Sequence, residues 1–220
     1  MKKFAIFCVA LLCAAVMTAA EAAAPTAAAK GASPQQAGAQ APTTTEGGTA
    51  MAPIEPKILV VYFSRTGNTE KVGQALATEL KADSVKLNEQ GTDWEGVWGY
   101  LKAGKAAWKG ESTSIEKLKK EPKDYDLVVV GTPIWAWDLT PAVRSFLTVY
   151  KDDLKKVAFF ATEAGSGHEK AFKNMETLAG KAPVATAFWL EKEVKDPEKM
   201  REKVAPFVAE IQKMVSASDL

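Results

Sequence analysis

Residues 58–69 read ILVVYFSRTGNT, and the change of character half-way along sets the fold. Ile58 to Phe63 is apolar without alternation, as a strand must be when both faces of its sheet are covered, and that is the habit of a central strand in a parallel sheet. Val72, Ala75, Leu76 and Leu80 follow at helical spacing. A strand running through a short polar turn into a helix is the first half of a βαβ unit.

The pattern repeats downstream. Ser84 to Leu87 fits a second, shorter strand; Tyr125 to Gly131 (YDLVVVG) and Val157 to Ala161 (VAFFA) are further buried runs, and Val184 to Leu190 fits a last strand. Between them Ala142 to Leu147 and Ala171 to Leu178 carry helical spacing. Asp196-Pro197 supplies a cap and a first-turn proline for a final helix striped by Met200, Val204, Phe207, Val208 and Ile211. Pro206 is expected to kink or split that helix. Residues 57–220 therefore read as one α/β domain, a three-layer, doubly wound, five-stranded parallel sheet. No repeat of 20 to 50 residues suggests a solenoid.

Upstream the chain changes twice. Lys2 and Lys3, an apolar run from Phe4 to Met17, and Ala20-Glu21-Ala22 form the three parts of a secretory signal over residues 1–22. A spanning anchor needs about 20 apolar residues, more than this run offers. Leu12 is bulkier than the small residue expected before a lipidated cysteine, which argues against lipidation at Cys13. Without a twin arginine, export is expected in the unfolded state, to the periplasm or beyond, with no stable membrane insertion after signal removal. Residues 23–56 hold 11 Ala, 5 Pro, 5 Thr and 4 Gly and cannot bury a core. They read as a disordered linker reaching roughly 30 to 35 Å.

Composition removes several functions. Cys8 and Cys13 both fall within the signal, and His168 is the single histidine. The mature chain thus has no thiol nucleophile, disulfide or Cys-based zinc site, and no multi-His metal centre. With 28 basic and 27 acidic residues, no global field exists to hold nucleic acid, so none is expected as a partner.

Doubly wound sheets bind ligands at the carboxyl ends of their strands, and three such ends are distinctive. Ser64-Arg65-Thr66-Gly67-Asn68-Thr69 crowds three hydroxyls and a glycine onto a strand-to-helix turn, where backbone N–H groups and the helix dipole favour an anion. It lacks the Gly-Lys-[Ser/Thr] of a Walker loop and the G-x-G-x-x-G of a dinucleotide loop. Thr132-Pro133-Ile134-Trp135-Ala136-Trp137 places two indoles beyond a buried strand, a fit for a planar ligand. Thr162-Glu163-Ala164-Gly165-Ser166-Gly167 offers glycines that let backbone N–H groups approach closely. His168 opens the next helix and reads as a surface residue.

This set of loops resembles the flavodoxin-like family, which binds FMN, over roughly residues 57–216. Ser64 to Thr69 is close to that family's [ST]-x-T-G-x-T. The likeness implies that Ser64, Thr66 and Thr69, with the backbone from Arg65 to Thr69, hold the FMN phosphate. It also implies that Thr132 to Trp137 and Thr162 to Gly167 flank the isoalloxazine ring. The last strand carries no long insertion, so the chain looks like the short-chain form.

Two features depart from shuttle flavodoxins. Those are usually strongly acidic, whereas residues 57–220 hold 25 basic and 24 acidic residues, and a chain exported unfolded must find FMN outside the cytoplasm. The expected function is an FMN-dependent reductase passing electrons from NAD(P)H or a redox protein to a quinone or other small acceptor. A one-electron carrier for protein partners and a flavin-free interaction module are the alternatives. Trp94, Val97, Trp98, Leu101 and Trp108 recur at helical spacing and read as core packing, the alternative being a ring bordering the flavin. Lys117 to Lys123 reads as a solvated loop.

Overall fold

The computed structural model describes residues 55–91 and 96–216. The signal segment 1–22, the linker as far as residue 54, Trp94 and residues 217–220 lie outside the described residues.

The elements run β1 (Ile58–Tyr62), α1 (Asn68–Glu79), β2 (Asp83–Lys86), β3 (Glu89–Gln90), α2 (Gly96–Lys109), β4 (Ser114–Ile115), β5 (Leu127–Pro133), α3 (Pro141–Val149), β6 (Lys156–Glu163), α4 (His168–Ala179), β7 (Thr186–Leu190), α5 (Glu191–Val194) and α6 (Pro197–Ser216). Five strands form one parallel sheet in the order β2-β1-β5-β6-β7. The chain leaves β1 for β2 on one side and later returns to β5 on the other. The carboxyl ends of β1 and β5 therefore mark the switch point where such sheets open a crevice.

Every residue of β1 is buried, and its two faces feed two cores. Ile58, Val60 and Tyr62 pack with Val72 and Leu76 of α1 and with Val204, Phe207 and Ile211 of α6. Leu59, Val61 and Phe63 pack with Val143 and Phe146 of α3 and with Ala171 and Met175 of α4. That arrangement is the physical cause of the unbroken apolar run. β2, at the sheet edge, has only exposed or half-buried residues, which is why its signal is weaker.

One expectation is corrected in part, and one feature is new. Of the kink or split expected at Pro206, the split does not occur: α6 runs unbroken through it. Pro206 sits on the exposed side between the buried Val204 and Phe207, where water can satisfy the carbonyl that loses its N–H partner. The small antiparallel pair β3–β4 was not anticipated, because two residues per strand leave no periodicity to read.

Candidate functional site

The turn after β1 places Gly67 at the N-cap of α1 with φ of 89°, a left-handed conformation that glycine adopts without steric cost. Gly67 has no side chain with which to cap this helix, and among the described residues no side-chain cap bond is made, so its first N–H groups are left for something outside the helix. Ser64 is buried, and its Oγ has no hydrogen-bond partner among the described residues. A buried hydroxyl left unpaired costs about 1–3 kcal/mol, so an uncapped helix start beside one has the chemistry of an anion seat. Arg65 and Thr66 are exposed at its rim. Thr69 differs: it is buried, and its Oγ1 lies 2.7 Å from Thr162 Oγ1, tying α1 to the end of β6.

After β5 the chain makes a tight reversal. The Trp135 amide donates to the Asp138 carbonyl at 2.9 Å, and the Asp138 amide donates back to Trp135 at 3.0 Å. Ala136 and Trp137, the two central residues, have φ of 47° and 63°. A turn with both central residues at positive φ normally takes Asn-Gly, so this one is strained, by about 1–2 kcal/mol per residue. Asp138 holds it in place. Its buried carboxylate accepts from the Leu139 amide at 2.8 Å and from Asn174 Nδ2 at 2.9 Å to each oxygen, and it pairs with Lys170 at 3.1 Å and Arg144 at 3.6 Å. The Trp135 ring meets Phe63 edge-on at 5.5 Å between centroids, whereas Trp137 stands 65% exposed.

The loop after β6 closes against that reversal. The Ile134 amide donates to the Thr162 carbonyl at 2.9 Å. Gly167 has φ of 123°, and a Cβ there would lie 2.8 Å from Trp137 Cα. Glu163 is buried: its Oε2 accepts from the His168 amide at 3.0 Å, and its Oε1 lies 2.9 Å from His168 Nδ1. His168 is thus half-buried, not a surface residue, and its ring stacks on Phe188 at 3.7 Å.

Two cavities share this end of the sheet. One, of about 540 Å³, is lined by Arg65, Thr66, Asn68, Pro133, Thr162, Glu163 and Glu191, together with Ile134, Trp135 and Ala164. The other, of about 640 Å³, shares Ile134, Trp135 and Ala164 and adds Ala136, Trp137, Gly165, Ser166 and, from α2, Leu101, Ala103 and Gly104. Thr132 lines neither: it is buried, and its Oγ1 accepts from the Thr140 amide at 3.2 Å, anchoring the start of α3.

A family model described as Flavodoxin matches residues 57–211. The chain belongs to the flavodoxin family. Among solved structures, this flavodoxin-family chain is similar to a flavoprotein in complex with FMN from Lactobacillus acidophilus, at 24% identity over 60% of this chain and 93% of that one, with a TM-score of 0.54. It is also similar to a flavoprotein from Bacteroides eggerthii, at 22% identity over 64% and 94% of the two chains and a TM-score of 0.49. An oxidised flavodoxin from Bacillus cereus aligns at 16% identity over 71% and 97%, with a TM-score of 0.44. A search of curated proteins gives no match. The first structure supports the fold, an α/β sheet of flavodoxin type.

Sequence reading missed three contributors. Asp138 is a lone acid after an aromatic loop, with no spacing signal. Glu191 follows the last strand and carries only its strand-end position as a clue. The α2 wall was misjudged: Trp98, Leu101 and Trp108 were expected in the core, yet they are 77%, 56% and 66% exposed. Helical spacing reveals a face but not its direction, and here Ala103, Ala106 and Ala107 are the buried side. Trp94 and the Val97 side chain lie outside the described residues.

Proposed function

We propose that this chain is an exported FMN-dependent reductase that passes electrons from NAD(P)H or a redox protein to a quinone or other small acceptor. FMN supplies reversible one- and two-electron transfer when bound; the chain supplies its seat and its surroundings. The unpaired buried Ser64 hydroxyl and the uncapped start of α1 fit a phosphate. In this reading Ser64 and Thr66, with the backbone from Arg65 to Thr69, hold it. Thr69, engaged with Thr162, fixes the helix start. Pro133 to Trp137 and Glu163 to Gly167 flank the ring, while Thr132 and Thr162 set the positions of those two loops.

The observation that carries the reductase reading is the second cavity. Single-ligand sites run to roughly 300–1,000 Å³, and each of the two adjoining cavities lies within that range on its own. Together they have room for the cofactor and a second planar molecule. Its walls include Ile134, Trp135, Ala136, Trp137 and Leu101, apolar side chains that suit a quinone. Near-neutral charge supports the same reading over a carrier that needs a charged docking face.

The test is reconstitution of the full chain with FMN, followed by NAD(P)H oxidation in the presence of a soluble quinone. Steady turnover is expected. A yellow protein that exchanges electrons with redox proteins and turns over no quinone would be a carrier, and a colourless one that takes up no FMN would be an interaction module. Export is checked by N-terminal sequencing from fractionated cells, with a start at Ala23 or Pro25 expected.

A further inference from the structure

α2 is built inside out. Over its 14 residues, about 21 Å of helix, small Ala103, Ala106 and Ala107 face the protein, while Trp98, Leu101 and Trp108 face solvent. At 100° per residue the exposed arc continues into Lys102, Lys105 and Lys109, all exposed. The helix contains no acid: Glu95 precedes it, and Glu111 follows it with its carboxylate 3.7 Å from Lys109 Nζ. Exposed tryptophan pairs cost solubility and mark a contact surface.

We propose that this face of α2 docks the protein peripherally on an anionic phospholipid surface. Indoles settle at the headgroup level, and lysines beside them pair with lipid phosphates, the pattern of a helix lying in the interface plane. A second copy is the poorer occupant, because an isologous contact through this face would set one lysine row against its equivalent. Among the described residues no helix is long and apolar enough to cross a membrane. Leu101 and Gly104 of this same helix line the apolar cavity, and so does Trp137, 65% exposed. Docking through α2 therefore sets a wall of the cavity against the lipid. Entry of a lipid-borne acceptor by that route rests on the reductase reading, whereas vesicle binding does not.

The experiment accordingly reads vesicle binding alone. The full chain is sedimented with vesicles of phosphatidylglycerol and phosphatidylcholine, and with phosphatidylcholine alone. It is compared with Lys102→Gln/Lys105→Gln/Lys109→Gln and with Trp98→Ala/Trp108→Ala, all at exposed positions that leave the core intact. Residues 4–17 can contribute to lipid binding, but equally in parent and variants. Each lysine is expected to contribute about fivefold on the anionic surface, so the triple variant should lose about a hundredfold. Brominated lipid should quench parent fluorescence more than it quenches Trp98→Phe/Trp108→Phe. Equal binding by parent and variants, or none by the parent, would overturn the proposal. So would a dimer that Trp98→Ala/Trp108→Ala splits, without any effect of those changes on vesicle binding.

Discussion

Gly167→Ala tests whether the loop after β6 and the tryptophan reversal are packed as tightly as the cavity walls require. A methyl group at residue 167 would lie 2.7 Å from Ile134 Cγ2, 2.8 Å from Trp137 Cα and 3.3 Å from Trp137 C. Two of those three atoms are backbone and have no rotamer with which to escape. The φ of 123° adds a conformational penalty of about 1–3 kcal/mol for any residue with a side chain, and overpacking adds about 1–3 kcal/mol. The variant should therefore lose about 2–6 kcal/mol, or shed part of that loss by moving the loop away from Trp137 and widening the apolar cavity. Urea unfolding of apo protein reads the first outcome, and a change in tryptophan emission reads the second. Gly165→Ala is the matched control, since it has no positive φ and nothing within 4 Å of its Cβ position; it should stay within about 0.5 kcal/mol of the parent. A Gly167→Ala protein as stable as the Gly165→Ala protein, with unchanged emission, would refute the packing argument.

Other outcomes follow from single observations. Ala136→Gly, which relieves a residue at φ of 47°, should raise stability by up to about 1 kcal/mol in urea unfolding. Thr69→Val should cost about 1–3 kcal/mol with or without flavin, because its hydroxyl is engaged by Thr162 at 2.7 Å. Ser64→Ala should leave apo stability unchanged or slightly raised, since it removes an unpaired buried hydroxyl, while FMN binds about ten- to a hundredfold more weakly. Partial burial of Glu193 opposes its ionisation, but the Lys203 ammonium at 2.7 Å and the Leu190 amide at 2.8 Å outweigh it and hold the carboxyl below its ordinary value of 4.5. Its contribution is therefore fully present above that value and is lost as pH falls through the lowered one. Glu193→Gln should flatten that part of the acid unfolding curve, measured as the urea midpoint against pH.

The sheet was legible because burial on both faces leaves an unbroken apolar run, and β1, β5 and β6 have that environment. The edge strand β2 and the pair β3–β4 were faint for the opposite reason: little of them is buried. At the site, the strand-end loops were visible as hydroxyls, indoles and glycines, residue types that a connecting loop does not otherwise need together. The division of labour inside those loops was not. Ser64 and Thr69 look alike in sequence, yet one hydroxyl is unpaired and the other is engaged by a residue 93 positions away, a contact that only the folded chain creates. The orientation of α2 was misread because its buried face is made of alanines, which carry little hydrophobic signal beside three large apolar side chains on the other side.

The central claim is that the turn from Ser64 to Thr69 is a phosphate seat for a flavin, and titration of the apo protein with FMN and, separately, with riboflavin tests it most directly. The two ligands differ only in the phosphate, so their affinity ratio isolates that group. The predicted result is FMN binding at least about a hundredfold tighter than riboflavin, as two or more hydrogen bonds to a charged group imply, with the ratio shrinking in Ser64→Ala. Equal affinities for the two ligands, or a ratio that Ser64→Ala leaves unchanged, would contradict it.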